Sequence, residues 1–166
     1  VYENLTHNGN VTCKGDFRDQ SGGSYPVNNL NLTNSTFNFE QSWTKYISFA
    51  GLNPVTFNNF NVVSASGGTR EIRNDIIVNG HLKIEGGEVL DAYAASTKNI
   101  TLSGSISSWI NLGTFTPRTG TVTFNGDGTQ TIAGSASTSF YNLTVNKGSS
   151  SALDLQKSTF ITNNLN

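Results

Sequence analysis

Charge is scarce in this sequence: Asp, Glu, Lys and Arg make up 13% of 166 residues, and the formal net charge is -1. That is about half the usual charged share. No Lys/Arg cluster breaks the neutrality, so the chain lacks the electrostatic footprint that nucleic acid or an anionic membrane requires. Cysteine occurs once, at Cys13, which excludes an internal disulfide and multi-Cys metal sites. Its simplest role is that of a small apolar core residue. Long apolar runs are missing, so no membrane span is expected, and no signal peptide is recognisable. Helical patterning is almost missing too: the best candidate, "DAYAAS" at 91–96, is shorter than two turns.

What the chain has instead is neutral polarity. Asn, Ser and Thr occur about 20 times each and Gly 17 times, beside an ordinary hydrophobic fraction of 35%. A core is therefore affordable at this length, and the expectation is one domain covering 1–166. The chain opens on Val1 and closes on the strand-like "FITNNLN", so it reads as a fragment of a longer protein.

Short Asn-containing phrases recur: "NNLNL" at 28–32, "NNFNV" at 58–62 and "FYNLTV" at 140–145, with a looser "ENLTH" at 3–7. Shifting the chain by 83 places lays 57–83 over 140–166 without a gap, matching Asn59 to Asn142, Val62 to Val145 and Leu82 to Leu165. A second register lays "NGHLKIEGG" over "NGNVTCKGD", which puts Ile84 on Cys13. Phe60, Leu82, Leu102, Val122, Leu143 and Leu165 follow one another every 20 to 22 residues. Self-similarity at such a period marks a solenoid. Period-two alternation in "NLNLT", "TVTF" and "NLTVN", with Gly, Asn or Ser between the runs, makes it a β-solenoid. The three prolines, Pro26, Pro54 and Pro117, fall between runs.

The expected fold is thus all-β, a right-handed parallel β-helix of about eight coils of about 21 residues, stacked about 4.8 Å apart. The six apolar residues above should form one internal column, and Asn beside them should form amide ladders between coils. An irregular coil or loop is expected near 35–52, around "EQSWTKYISFAG". A β-sandwich also suits many short strands, but the ungapped self-match favours the solenoid. Open strand edges at both terminal coils should make the piece associate end to end.

Residues 121–166 carry Thr121 to Gly126, Gln130 to Ile132 with Gly134, and Phe140 to Val145 in an order that resembles a repeat of large secreted and cell-surface proteins of Bacteroidota. The resemblance covers the last third, continues in "NLGTF" at 111–115 and weakens before residue 57; Asn163 stands where Gly is typical. It implies an extracellular protein exported by the type IX route, built of many adhesin-like β-helix coils. Its partners would be adjacent coils or domains of the same long chain and a polysaccharide or other cell-surface ligand. It brings no catalytic residue and no cofactor.

Two charged clusters are candidates for chemistry. Glu85, Glu88 and Asp91 form one acidic group, and Arg70, Glu71, Arg73 and Asp75 a second group of mixed sign. A calcium-dependent polysaccharide lyase needs carboxylates converging across coils with a basic proton acceptor. The alternating signs around Ile72 read more simply as a solvated strand face. His7 and His81 are too isolated for a metal site or a triad, and "NGDG" at 125–128 reads as a tight turn. Trp43, Tyr46 and Trp109 are the binding candidates, able to stack on sugar rings if exposed; core or coil-edge packing is the simpler reading. Asn-x-Ser/Thr sequons at Asn4, Asn10, Asn31, Asn34, Asn99 and Asn142 arise easily from Asn-Leu-Thr strands. Ice binding on a Thr-lined face is disfavoured, because Thr123, Ser103 and Lys83 are expected to share a wall.

The reading is a non-enzymatic structural or adhesive stalk, with a carbohydrate-active β-helix that binds or cleaves polysaccharide as the alternative.

Overall fold

The computed structural model describes residues 3–14, 16–18, 27–40, 43–63 and 67–166, with side chains for all but 3–6, 27–29 and 31. The alternating runs form β1 (Glu3–Cys13), β2 (Phe17–Arg18), β3 (Val27–Glu40), β4 (Lys45–Ser48), β5 (Val55–Val63), β6 (Thr69–Ile72), β7 (Ile76–Val78), β8 (Leu82–Ile84) and β9 (Val89–Asp91). They continue with β10 (Ile100–Leu102), β11 (Ser108–Asn111), β12 (Thr114–Thr116), β13 (Thr121–Phe124), β14 (Thr129–Ala133), β15 (Thr138–Val145), β16 (Ala152–Leu155) and β17 (Thr159–Leu165). No helix occurs among the described residues, and no helix is long and apolar enough to cross a membrane. Among the described residues every strand pair is parallel, so the fold is a parallel β-solenoid.

The strands lie on three walls. On the first, Leu32, Phe57, Val78, Leu102, Phe124 and Val145 follow one another from coil to coil. The second carries Val11, Phe37, Phe60, Leu82, Trp109, Ile132 and Leu155. The third is the smaller sheet of β2, β4, β6, β9 and β12, which turns Phe17, Ile47 and Ile72 inward in one row and Leu90 and Phe115 in the next. Inside, Phe37, Phe57 and Phe60 pack with ring centroids 5.0 to 5.8 Å apart, and Trp109 meets Phe115 at 4.7 Å and Phe140 at 5.2 Å. Such pairs add about 0.5 to 1.5 kcal/mol each beyond their buried area.

The seven residues of the second-wall row bound about six turns, fewer than the eight expected. Neighbours in that row stand 22 to 27 residues apart in the chain, so each coil is longer than 21. The expected single column is divided as well. Phe60 and Leu82 pair on the second wall, whereas Leu102 pairs with Phe124, and Val122, Leu143 and Leu165 follow one another, on the first.

The cause lies in the repeated phrase itself. In β5 and in β15 the burial alternation is interrupted by two adjacent half-buried residues, Asn58–Asn59 and Tyr141–Asn142. Alternation would bury one of any adjacent pair on a flat strand. Two outward residues in succession bend the strand from one wall to the next, so the phrase marks a corner. β5 turns from the first wall to the second, while β15 turns onto the first wall from the side of Phe115. The 83-residue shift therefore matches corner to corner without being a whole number of coils.

Asn and Asp also join the coils. Asn53 Oδ1 accepts the Asp75 N–H at 2.7 Å, Asp75 Oδ1 the Asn99 N–H at 2.7 Å, and Asn99 Oδ1 the Thr121 N–H at 3.0 Å. Amide-to-amide contacts occur between Asn61 and Asn38 at 3.0 Å and between Asn163 and Asn142 at 2.7 Å. The commoner device is a side-chain oxygen capturing the backbone N–H of the following coil. Within 35–52, residues 35–40 belong to β3 and 45–48 form β4, with Phe37, Phe39, Ile47 and Phe49 buried.

Candidate functional site

The third wall gathers aromatic and charged side chains on its outer face. Ile47 and Ile72 point into the tube, so period-two alternation sends Tyr46, Glu71 and Arg73 outward. Tyr46, Glu71, Asp91 and Thr116 then succeed one another along the axis. The Arg73 guanidinium sits 3.7 Å from the Tyr46 ring centroid and 4.8 Å from that of Tyr93, while Arg18 approaches Tyr46 at 5.6 Å. These cation–π contacts contribute about 0.5 to 1 kcal/mol each at exposed sites. Arg73 is fixed by two hydrogen bonds to Glu71 Oε2, at 2.9 and 2.7 Å.

Arg118 clasps Asp91 with a fork, Nε donating to Oδ1 at 2.8 Å and Nη2 to Oδ2 at 2.6 Å. Those hydrogen bonds, and then the Asp91 charge, raise the pKa of Arg118 above its ordinary value. Tyr93 and Arg118 have left-handed backbones, with φ of 57° and 52°. They follow the paired residues Asp91 and Thr116 by two positions, so two successive coils turn the same corner in the same way.

Behind this face, Arg70 and Glu88 lie inside the tube. Arg70 Nη2 stands 3.0 Å from Glu88 Oε2, with both side chains fully buried. Arg70 Nε donates to the Phe39 carbonyl at 3.3 Å and Nη2 to that of Val63 at 3.4 Å, and the Gly67 N–H donates to Glu88 Oε1 at 3.1 Å. Burial lowers the pKa of Arg70 from its ordinary value, against the opposing pull of Glu88 and Glu40. The reading of 70–75 as a solvated face is corrected here. Alternation puts Arg70 on the same side as Ile72, inside, and only Glu71, Arg73 and Asp75 face outward.

The acidic groups do not converge on an open cleft. Glu85 meets Lys83 at 3.2 Å, Glu88 is paired inside, Asp91 is held by Arg118, Glu71 by Arg73, and Asp75 serves the corner ladder. Trp43 is 76% exposed beside β4, Tyr46 lies between two guanidinium groups, and Trp109 is wholly buried, so its ring has no face to offer a ligand. His7, in β1, and His81, just before β8, are both exposed, His81 giving its backbone N–H to Asn59 at 2.8 Å. No group of three or more His, Cys, Asp and Glu that would hold a metal occurs among the described residues.

Sequence reasoning missed Arg73 and Tyr93 as partners of Tyr46. Their signal was available only through coil register, which puts residues 46 and 71 side by side. It also missed buried Gln130, whose amide donates to the Leu102 carbonyl at 2.9 Å and whose oxygen accepts from Lys147 at 2.7 Å. Compared with known proteins, the chain matches no family model, no curated protein and no solved structure.

Proposed function

We propose that this solenoid is a structural and adhesive stalk segment of a bacterial cell-surface or secreted protein of the Bacteroidota type, exported by the type IX route. The observation that carries this reading is the unbroken parallel ladder from β1 to β17. Six turns at about 4.8 Å make a stiff rod on the order of 30 Å long whose backbone donors and acceptors are used between coils. Its adhesive surface is the third wall, where Tyr46, Arg73 and Tyr93 form a rigid stack and Trp43 projects beside it. Adjacent coils or domains of the same chain are the structural partners, and surface glycan is the adhesive one.

What supports adhesion over polysaccharide cleavage is the engagement of each carboxylate in the two acidic groups by a cation or a backbone N–H. A general base held in a bidentate or buried pair is poorly placed to accept a substrate proton. The test combines surface labelling of intact source cells with retention of the purified chain on immobilised surface polysaccharide. Labelling together with retention that falls in Trp43→Ala supports the reading. An intracellular protein, or release of reducing ends from the polysaccharide, overturns it.

A further inference from the structure

The first wall carries a different outer surface. Thr56, Ile77, Thr101, Thr123 and Thr144 pair in succession along the axis, a row of outward side chains on five consecutive coils. A row on one side holds Asp75, Asn99, Thr121 and Asn142, joined by the corner ladder and by the pairing of Thr121 with Asn142. On the other side, Asn79, Ser103, Asn125 and Asn146 donate their N–H groups to Phe57, Val78, Leu102 and Phe124 of the preceding coil. The expected sharing of a wall by Thr123, Ser103 and Lys83 is corrected: Lys83 pairs with Asn61 and Ile110 on the second wall. Without it the face holds no Lys, Arg or Glu in these three rows, and the one carboxylate, Asp75, is engaged by the Asn99 N–H at 2.7 Å and by Asn53 Nδ2 at 3.4 Å.

We infer that this face is a second glycan surface, separate from the third wall, that docks an extended, uncharged polysaccharide lying along the solenoid axis; the proposal rests on the adhesive reading of the chain but not on Trp43. Three observations select that occupant. Thr56, Thr101, Thr123 and Thr144 are half-buried residues whose hydroxyls are engaged by no other described residue, so they recur in register about every 4.8 Å, except at Ile77. A repeating partner meets a repeating row best, because each additional unit adds the same contact. With no cation and Asp75 as its single carboxylate, the face offers an acidic polymer no electrostatic gain and a basic one only a single contact, so discrimination falls to hydroxyl-to-hydroxyl and hydroxyl-to-amide hydrogen bonds.

The third observation is shape. A shallow trough of about 410 Å³ is lined by Pro54, Asp75, Ile77, Asn99, Thr101, Thr121 and Thr123, Asp75 being its one charged side chain. Pro54 and Ile77 give it apolar ground against which the C–H face of a sugar ring packs, while the Thr and Asn side chains line it with donors and acceptors. An ordered water lattice, the competing occupant of a Thr-lined β face, needs a flat and uninterrupted array. The trough and the Ile77 break favour a chain.

Affinity electrophoresis tests this with barley β-glucan and hydroxyethyl cellulose as neutral probes and polygalacturonate as the acidic one. The account predicts retardation by a neutral glucan and none by polygalacturonate. Thr101→Val/Thr123→Val removes two hydroxyls from a strand surface that tolerates Val, and should weaken retention by about tenfold with an unchanged thermal melt. Thr101→Lys should have a similar effect, and Trp43→Ala none. Retention that is lost in Trp43→Ala but untouched by the Thr variants overturns this face while leaving the adhesive reading in place. A folded chain retained by polygalacturonate alone, or by no probe, overturns it. So does thermal hysteresis in freezing solution without glucan retention, which assigns the face to ice.

Discussion

Arg70 and Glu88 meet inside the solenoid, Nη2 to Oε2 at 3.0 Å, with neither side chain reaching solvent. The pair ties β6 to the loop before β9, and Arg70 extends the tie to β3 through the Phe39 carbonyl. Desolvating two ions costs several kcal/mol, so the pair need not add net stability, but removing one partner strands the other. Glu88→Ala is expected to lower unfolding free energy by about 3 to 5 kcal/mol, and the double variant Arg70→Met/Glu88→Leu to restore most of it. Urea denaturation of the three proteins checks this; equal loss in single and double variants would show that the ionic contact itself stabilises the fold.

That pair also shows where the sequence stopped being readable. Apolar alternation in "TREI" places Arg70 on the side of Ile72, yet charge argues for exposure, since arginine is almost never fully buried unless paired. The partner lies 18 residues on, across a coil whose length varies, and nothing local announces it. Strand content and the inward role of Phe60, Leu82 and Leu143 were legible because they rest on period-two alternation, and parallel stacking because the strand phrases recur along the chain. The wall each residue occupies was not. A corner such as Asn58–Asn59 shifts the alternation by one residue and looks the same at every corner of the tube. For that reason the spacing between phrases mixed walls, and the turn count came out too high.

The two tryptophans should behave oppositely. Trp109→Ala empties a site packed against Phe115 and Phe140 and is expected to cost about 3 to 5 kcal/mol. Trp43→Ala, at an exposed position, should stay within about 0.5 kcal/mol of the parent. Acrylamide should quench one of two emission components, and Trp43→Phe should abolish the quenchable one.

Lys147 links pH to stability. Its Nζ donates to the Gly126 carbonyl at 2.6 Å and to Gln130 Oε1 at 2.7 Å, and burial lowers its pKa below the ordinary lysine value, opposed by the charge of Asp127. Well below the lowered value Lys147 is charged in both states, and its burial penalises the fold. Between the lowered and ordinary values the unfolded chain binds more protons, so stability rises with pH. Urea midpoints measured across the window just below the ordinary lysine pKa should climb in the parent and stay flatter in Lys147→Met. Parallel profiles would remove Lys147 from the linkage.

Produced as residues 1–166, the polypeptide should self-associate through the coil of β16 and β17. β16 and β17 end their ladders, and Leu155, Phe160 and Leu165 are 57%, 53% and 64% exposed beside a recess lined by Leu143, Val145, Leu153 and Ile161. Open strand edges with apolar side chains recruit further strands. Sedimentation velocity should show assembly that grows with concentration and is suppressed in Leu155→Lys/Leu165→Lys. A chain that remains monomeric at high concentration would contradict this.

The register of the Thr row underlies both the solenoid and its proposed glycan face, and spin-label distances measure it directly. Labels at Thr56→Cys and Thr144→Cys, in a Cys13→Ala background, lie four rungs apart in one row. Double electron–electron resonance should give a narrow distribution displaced by the label linkers from about 19 Å, and moving the second label to Thr123→Cys should shorten it by about one rung of 4.8 Å. A broad distribution, or a distance that fails to change by one rung, would contradict the stacked-coil account.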